Sequence, residues 1–294
     1  MTSVAADLGR VNRLPCWKGQ PRIEPLSGGL SNRNYRVRDG AGDWVVRLGG
    51  DVPEHGLVRA NDLAVSRAAA SAGIAPEVLH TAADILVIRF IDGRALTEAD
   101  IRSEPMRSRI VDLLKRTHRE VGRHLRGPAV MFWVFHAIRD YAAQLAGTED
   151  GRDLARLTAI AGALERAVGP VDIVFGHNDL LPANLIDDGK RLWLIDWEYA
   201  GYGTPLFDLG NLASNAQLDD DAWQSLLAAY HDSSPDAGLL RRADAMRVAS
   251  LLREHLWALV ARRHRRVAID FEAYAAEYAA RLEAAHRCFV DRHG

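Results

Sequence analysis

The chain has 294 residues, 48% of them apolar, enough to bury the core of one large domain or two smaller ones. Its formal charge of −2 gives no reason to expect a nucleic-acid partner, and two isolated cysteines, Cys16 and Cys288, exclude a disulfide framework. No stretch reaches the roughly 20 apolar residues that cross a bilayer, and the first residues lack the apolar run of a signal peptide, so a soluble cytoplasmic protein without membrane insertion is expected.

In chain order, the first twenty residues are punctuated by Pro and Gly and define no element. From Arg22 the pattern becomes strand-like over residues 22–26, 34–39 and 43–48, with Gly28-Gly29 and a second glycine turn between them. Consecutive amides in a Gly-Gly loop can face an anion, and the same pair serves equally in a plain hairpin turn. A helical run ends near Ala72-Gly73, ahead of Pro76. Residues 85–96 read as a near-continuous apolar strand running into Asp92-Gly93, which marks a boundary between two lobes. Beyond it the chain is helical. Residues 105–124 carry Ile110, Leu113, Leu114 and Val121 on one face, and residues 133–146, 152–168, 241–264 and 270–290 follow suit. His118, His124 and His136 have no metal-ligand spacing and read as surface or satisfied core histidines.

The most informative stretch is residues 175–199, FGHNDLLPANLIDDGKRLWLIDWEY. Two apolar segments, 183–186 and 192–195, flank Asp187-Asp188-Gly189, a pattern that predicts a β-hairpin. Antiparallel pairing brings Asn184 and Asp196 to the same end, where His177-Asn178-Asp179 adds a second carboxylate. Two carboxylates and an amide form an oxygen-rich site suited to Mg²⁺, a hard cation that keeps substrate phosphates among its ligands. The alternative is a set of polar residues that merely cap a turn.

HNDLLPAN resembles the H-x-D-x-x-x-x-N loop of the aminoglycoside phosphotransferase and choline kinase superfamily, and IDWEYAGYGTPLFDLGN is closer to choline/ethanolamine kinases than to protein kinases. The resemblance spans about residues 22 to 285. It implies an α+β, two-lobed, protein-kinase-like fold. A small, mainly antiparallel nucleotide-binding lobe (1–91) would precede a larger helical lobe for catalysis and acceptor binding (92–294). It further implies ATP and Mg²⁺ as cofactors, Asp179 as catalytic base, Asn184 and Asp196 as metal ligands, and His177 as an orienting member of the catalytic set. Ser27, Gly28, Gly29, Ser31 and Asn32 would cover the nucleotide phosphates. Arg47 would stand where protein kinases carry a lysine, and Asp62 would be its acidic partner, one methylene shorter than the usual glutamate. Phe90 to Asp92 would form the adenine-side connection. Asp208 would brace the catalytic loop.

The acceptor would meet Glu198, Tyr199 and Tyr202 directly after the metal aspartate, with Trp257 and Tyr274 from the C-terminal helices. Aromatic faces with a carboxylate suit a cationic amino alcohol. Glu254 stands where choline kinases carry a second tryptophan, and Asn215 lies near an expected acidic position, which weakens choline in particular. Three functions stay open at this point: a choline- or ethanolamine-type kinase, an aminoglycoside or thiamine phosphotransferase, and a nucleotide-binding pseudoenzyme.

Overall fold

The computed structural model describes residues 4–26, 32–264 and 270–294. It opens on helix α1 (Val4–Asn12), a segment whose sequence predicts nothing. A polar contact holds this helix in place. Asp7 is fully buried and accepts hydrogen bonds from Arg33 Nε at 2.5 Å and Tyr35 Oη at 3.0 Å. A buried carboxylate that is paired on two sides escapes the penalty of desolvation, yet leaves no apolar periodicity to read.

Strands β1 (Arg22–Leu26), β2 (Arg33–Arg38), β3 (Asp43–Leu48), β4 (Val78–Ala82) and β5 (Ile85–Arg89) form an antiparallel sheet in the order β1-β2-β3-β5-β4. One face packs Tyr35, Val37, Trp44, Val46, Leu48, Ile85 and Val87 around Val11 of α1. The two-residue period of a strand turns Asn34, Val45, Arg47 and Ile88 to the other face, where they line a cleft. Helix α2 (Arg59–Ser71) lies between β3 and β4 and stops at Gly73, which has φ +67°. Its Val65, Ala68 and Ala69 pack into the helical core, not the sheet core.

The apolar run 85–96 is two strands rather than one. After Arg89 the chain leaves the sheet, and β6 (Arg94–Ala95) pairs with β8 (Leu185–Asp187). Gly93 permits this crossing, because a Cβ there would fall 2.8 Å from the Asp187 carbonyl oxygen. Helices α3 (Glu98–Arg102), α4 (Glu104–His124), α5 (Val134–Leu145) and α6 (Leu154–Val168) follow. Strand β7 (Val174–Gly176) then leads into the β8–β9 hairpin, where β9 is Leu192–Leu194. Strand β10 (Gly201–Gly203) returns to pair with β7. The chain ends in α7 (Pro205–Asn215), α8 (Asp220–His231), α9 (Ala237–His264) and α10 (Phe271–His293). Helix α9 packs against α5, α6, α7 and α10, so it buries residues on nearly every side, as a central helix does. Of the three histidines, His118 is buried and paired, while His124 and His136 are exposed. Among the described residues no helix is long and apolar enough to cross a membrane.

Gly210 sets the approach of α7 to α9: a Cβ at this position would lie 2.8 Å from the Arg247 backbone nitrogen. Gly210→Ala gains about 0.5–1 kcal/mol of helix propensity, but wedging a methyl between two backbones costs about 1–3 kcal/mol or more. The clash wins. The variant is expected to unfold at lower urea concentration with an unchanged m-value; a midpoint above wild type would show that the two helices separate without cost.

Candidate active site

The expected hairpin forms, with its first strand beginning at Leu185 rather than at residue 183 because residues 182–184 turn as a 3₁₀ helix. Leu185 pairs with Leu194 and Asp187 with Leu192, and the Ile195 N–H donates to the Asn184 carbonyl at 3.0 Å. Asn184 closes a 3₁₀ turn and Asp196 follows the second strand, so both reach the same end of the hairpin. The chain turns sharply on either side of it. Asn178 has φ +64° and Asp196 φ +68°, left-handed values that Asn and Asp tolerate best among residues with a side chain.

The loop carrying Asp179 is fastened from beneath. Asp208 of α7 accepts the His177 N–H at 2.8 Å and the Asn178 N–H at 2.7 Å, and its carboxylate also meets His118 Nε2 at 2.9 Å. Burial alone would raise the Asp208 pKa, but these bonds to the ionised form hold it below the usual range. Asn211, one helical turn on, accepts the Leu180 N–H at 2.6 Å. The imidazole of His177 is buried, which lowers its pKa and keeps it neutral. Its Nε2 donates to the Ile195 carbonyl at 2.9 Å and its Nδ1 accepts the Asp179 N–H at 3.3 Å. His177 is thus a strut between loop and hairpin, with both ring nitrogens engaged by backbone.

Asp179 itself opens on a cleft of about 1080 Å³ that runs between the open sheet face and α9. Asn184, Asp196, Glu198 and Tyr199 line the same cleft. Burial pushes the Asp179 pKa up to about 8; Glu254, Asp196 and Glu198 add to the push, while Arg253 opposes it. Asn184 Nδ2 donates to the Asp179 carbonyl at 2.9 Å, which leaves the amide oxygen as its free donor atom for a cation. Across the cleft, Arg47 of β3 reaches Asp196 at 2.5 Å and Glu198 at 3.7 Å. Burial works against the Arg47 charge, but Asp196, Asp62 and Glu198 outweigh it and raise its pKa.

Other expected residues sit differently. Asp62 does not bond Arg47; it pairs with Arg59 one turn earlier in α2, and Arg59 also holds Asn32, whose amide donates to Glu198 at 3.0 Å. The shorter aspartate leaves Arg47 to the carboxylates after the hairpin. Phe90 lines the cleft with Arg36 stacked 3.6 Å over its ring, whereas Asp92 is exposed and outside it. Ser27, Gly28, Gly29 and Ser31 lie outside the described residues. Tyr202 is not at the acceptor end. It belongs to β10 and packs edge-on against Phe175, because the β10–β7 pairing turns it away from the cleft.

Another wall of the cleft is built by α9 and α10. Trp257 stacks on His55 at 5.2 Å, meets Tyr274 edge-on at 6.0 Å and donates its Nε1–H to Tyr199 Oη at 3.1 Å. Glu254 accepts from Tyr274 Oη at 2.9 Å and from Arg253 Nη1 at 2.9 Å. Asn215 supports the loop, donating to the Leu180 carbonyl at 3.2 Å. Sequence reasoning missed His55 and Arg253. The second left a signal: a cation four residues before Trp257 shares its helical face.

The phosphotransferase enzyme family model matches residues 22–244, and the chain belongs to that family. It is 27% identical over 213 residues to the protein LicA of Haemophilus influenzae, covering 69% of this chain but only 61% of LicA. It is 24% identical over 291 residues to a probable ethanolamine kinase of Arabidopsis thaliana, covering 86% of this chain and 76% of that protein. The crystal structure of a choline/ethanolamine kinase family protein from Mesorhizobium loti superposes with a TM-score of 0.79 at 28% identity, over 98% of this chain and 99% of that one. The fold is the two-lobed, protein-kinase-like α+β fold.

Asp208→Asn places an N–H donor where two backbone N–H groups need an acceptor. The variant is expected to lose about 2–4 kcal/mol in denaturant unfolding, since buried donors are left unmet. Stability equal to wild type would show that the loop is braced elsewhere.

Proposed function

We propose that this phosphotransferase moves the γ-phosphoryl group of ATP to the hydroxyl of a small amino alcohol of the choline/ethanolamine class. The observation that carries the reading is convergence: Asp179, Asn184, Asp196 and Arg47 line a single cleft together with Glu254, Trp257 and Tyr274. The likeness to an ethanolamine kinase and to a choline/ethanolamine kinase family protein supports it. A cytoplasmic location, where ATP is supplied, goes with it.

In this reading Asp179 accepts the proton of the acceptor hydroxyl as its oxygen attacks the γ-phosphorus. The bond to the bridging oxygen breaks and ADP leaves. Raised by burial, the Asp179 carboxylate is a stronger base than a solvated one, which suits general-base catalysis near neutral pH. Asn184 and Asp196 fit Mg²⁺, one through its free amide oxygen and the other through a carboxylate that is a quarter exposed to the cleft. Bound there, Mg²⁺ supplies charge neutralisation and orientation of the phosphates. Among the described residues no three His, Cys, Asp or Glu side chains gather as a metal cage, which suits a cation that completes its shell with substrate oxygens. Arg47, already paired to Asp196 and Glu198, would swing its donor fork to the phosphates.

Cleft charge bears on the acceptor. Glu254 is paired with the buried Arg253, so one of the carboxylates that could attract a polycation is already compensated. That favours a small monocation over an aminoglycoside.

ADP release, measured with Mg²⁺, ATP and in turn choline, ethanolamine, thiamine, kanamycin and a sugar alcohol, should rise with a small amino alcohol. Asp179→Ala should lower that turnover by about 10²–10⁴-fold while ATP still binds. Turnover near wild type in the variant would sink the base assignment.

A further inference from the structure

Arg253 lies on α9 with 1% of its surface exposed, at the floor of the cleft. Its guanidinium carbon sits 4.4 Å from the centre of the Tyr199 ring. One terminal nitrogen, Nη1, bonds Glu254 at 2.9 Å and stands 3.7 Å from Asp179 Oδ1. The remaining nitrogens, Nε and Nη2, are buried with no hydrogen-bond partner. A buried cation with unmet donors is expensive, so helix packing gives no reason for arginine at this position. What the arrangement achieves is placement: a fixed positive charge beside a carboxylate that Glu254, Asp196 and Glu198 all repel.

We propose that Arg253 is a positioning residue for phosphoryl transfer, turning the Asp179 carboxylate towards the acceptor hydroxyl and tying it to the wall that binds the acceptor. The proposal rests on the kinase reading above. At 3.7 Å the contact is an electrostatic hold, not a tight hydrogen bond. It engages Oδ1 and leaves Oδ2 for the hydroxyl proton. The link to the acceptor runs through side chains already in contact. Tyr274 donates to Glu254, Glu254 accepts from Arg253, and Arg253 faces Asp179. An acceptor ammonium that engages Glu254 therefore pulls on the same chain of contacts that orients the base.

The test compares wild type, Arg253→Met and Arg253→Lys in steady-state ADP release with ethanolamine and with choline, alongside nucleotide affinity by calorimetry and thermal unfolding. Arg253→Met, which keeps length without charge, is expected to lower kcat by about 10²-fold, the scale set by misplacing a reacting group, with nucleotide affinity unchanged. Arg253→Lys restores the charge without the planar fork and should recover part of kcat. If Arg253→Met does not fold, Arg253→Lys decides: a reduced kcat at unchanged nucleotide affinity supports the proposal, and a wild-type kcat overturns it. Losses of kcat, nucleotide affinity and melting temperature in parallel, without recovery in Arg253→Lys, would assign the residue a structural role. Silence of wild type with every acceptor overturns the kinase reading and this proposal with it, whereas an active wild type with equally active variants overturns this proposal alone.

Discussion

The Asp208 carboxylate is the contact on which the site depends. Two backbone N–H groups and one imidazole converge on it, from the loop before Asp179 and from α4. That loop has a left-handed residue at Asn178 and makes few backbone bonds of its own, so its shape must be imposed from outside. A charged acceptor buried beneath it does this better than a neutral one, because charge-assisted hydrogen bonds are shorter and about twice as strong. Strain at Asn178 and at Asp196 is then held by the scaffold, as expected where catalytic side chains need an exact aim.

Once the loop is fixed, the rest of the site is a matter of compensated charge. Asp179, Asp196, Glu198 and Glu254 share one cleft, and two buried arginines, Arg47 and Arg253, sit among them. Burial disfavours both guanidinium charges; carboxylates prevail over it at Arg47, and tyrosines with carboxylates do so at Arg253. The two cations differ in what they can do next. Arg47 projects from β3 and pairs with Asp196 and Glu198 beside the hairpin. Arg253 is held on a central helix between Glu254 and the Tyr199 ring, and cannot move without repacking α9.

Much of this was legible in the sequence, for reasons that are physical. Asp187-Asp188-Gly189 between apolar segments dictates a hairpin, and a hairpin fixes which ends meet, so Asn184 and Asp196 could be placed together before any coordinates. Helices with clean apolar faces, such as α4 and α5, were equally readable. What escaped was set by side-chain pairing at long range. Helix α1 is anchored by Asp7 against Arg33, and no period announces a buried carboxylate. Asp62 hydrogen-bonds Arg59, one turn away on the same helix, and acts on Arg47 only through its charge. Tyr202 was displaced by the pairing of β10 with β7, a three-residue ladder too short to leave a pattern.

On the proposed reading, Glu254 gives the cleft wall beside Trp257 a carboxylate where the resemblance to choline kinases would put a second tryptophan. An aromatic pair offers ring faces to a cation without N–H groups, by cation–π attraction. Here one face of the half-buried Trp257 ring is stacked on His55, and Tyr274 and Phe271 pack around it. A carboxylate that accepts two hydrogen bonds still has lone pairs for a third, and such a bond requires an N–H on the acceptor. On the proposed kinase reading, such a wall would favour an acceptor ammonium that carries N–H groups. On the same reading that contact would be passed on, because Glu254 is also the carboxylate that holds Arg253 beside Asp179.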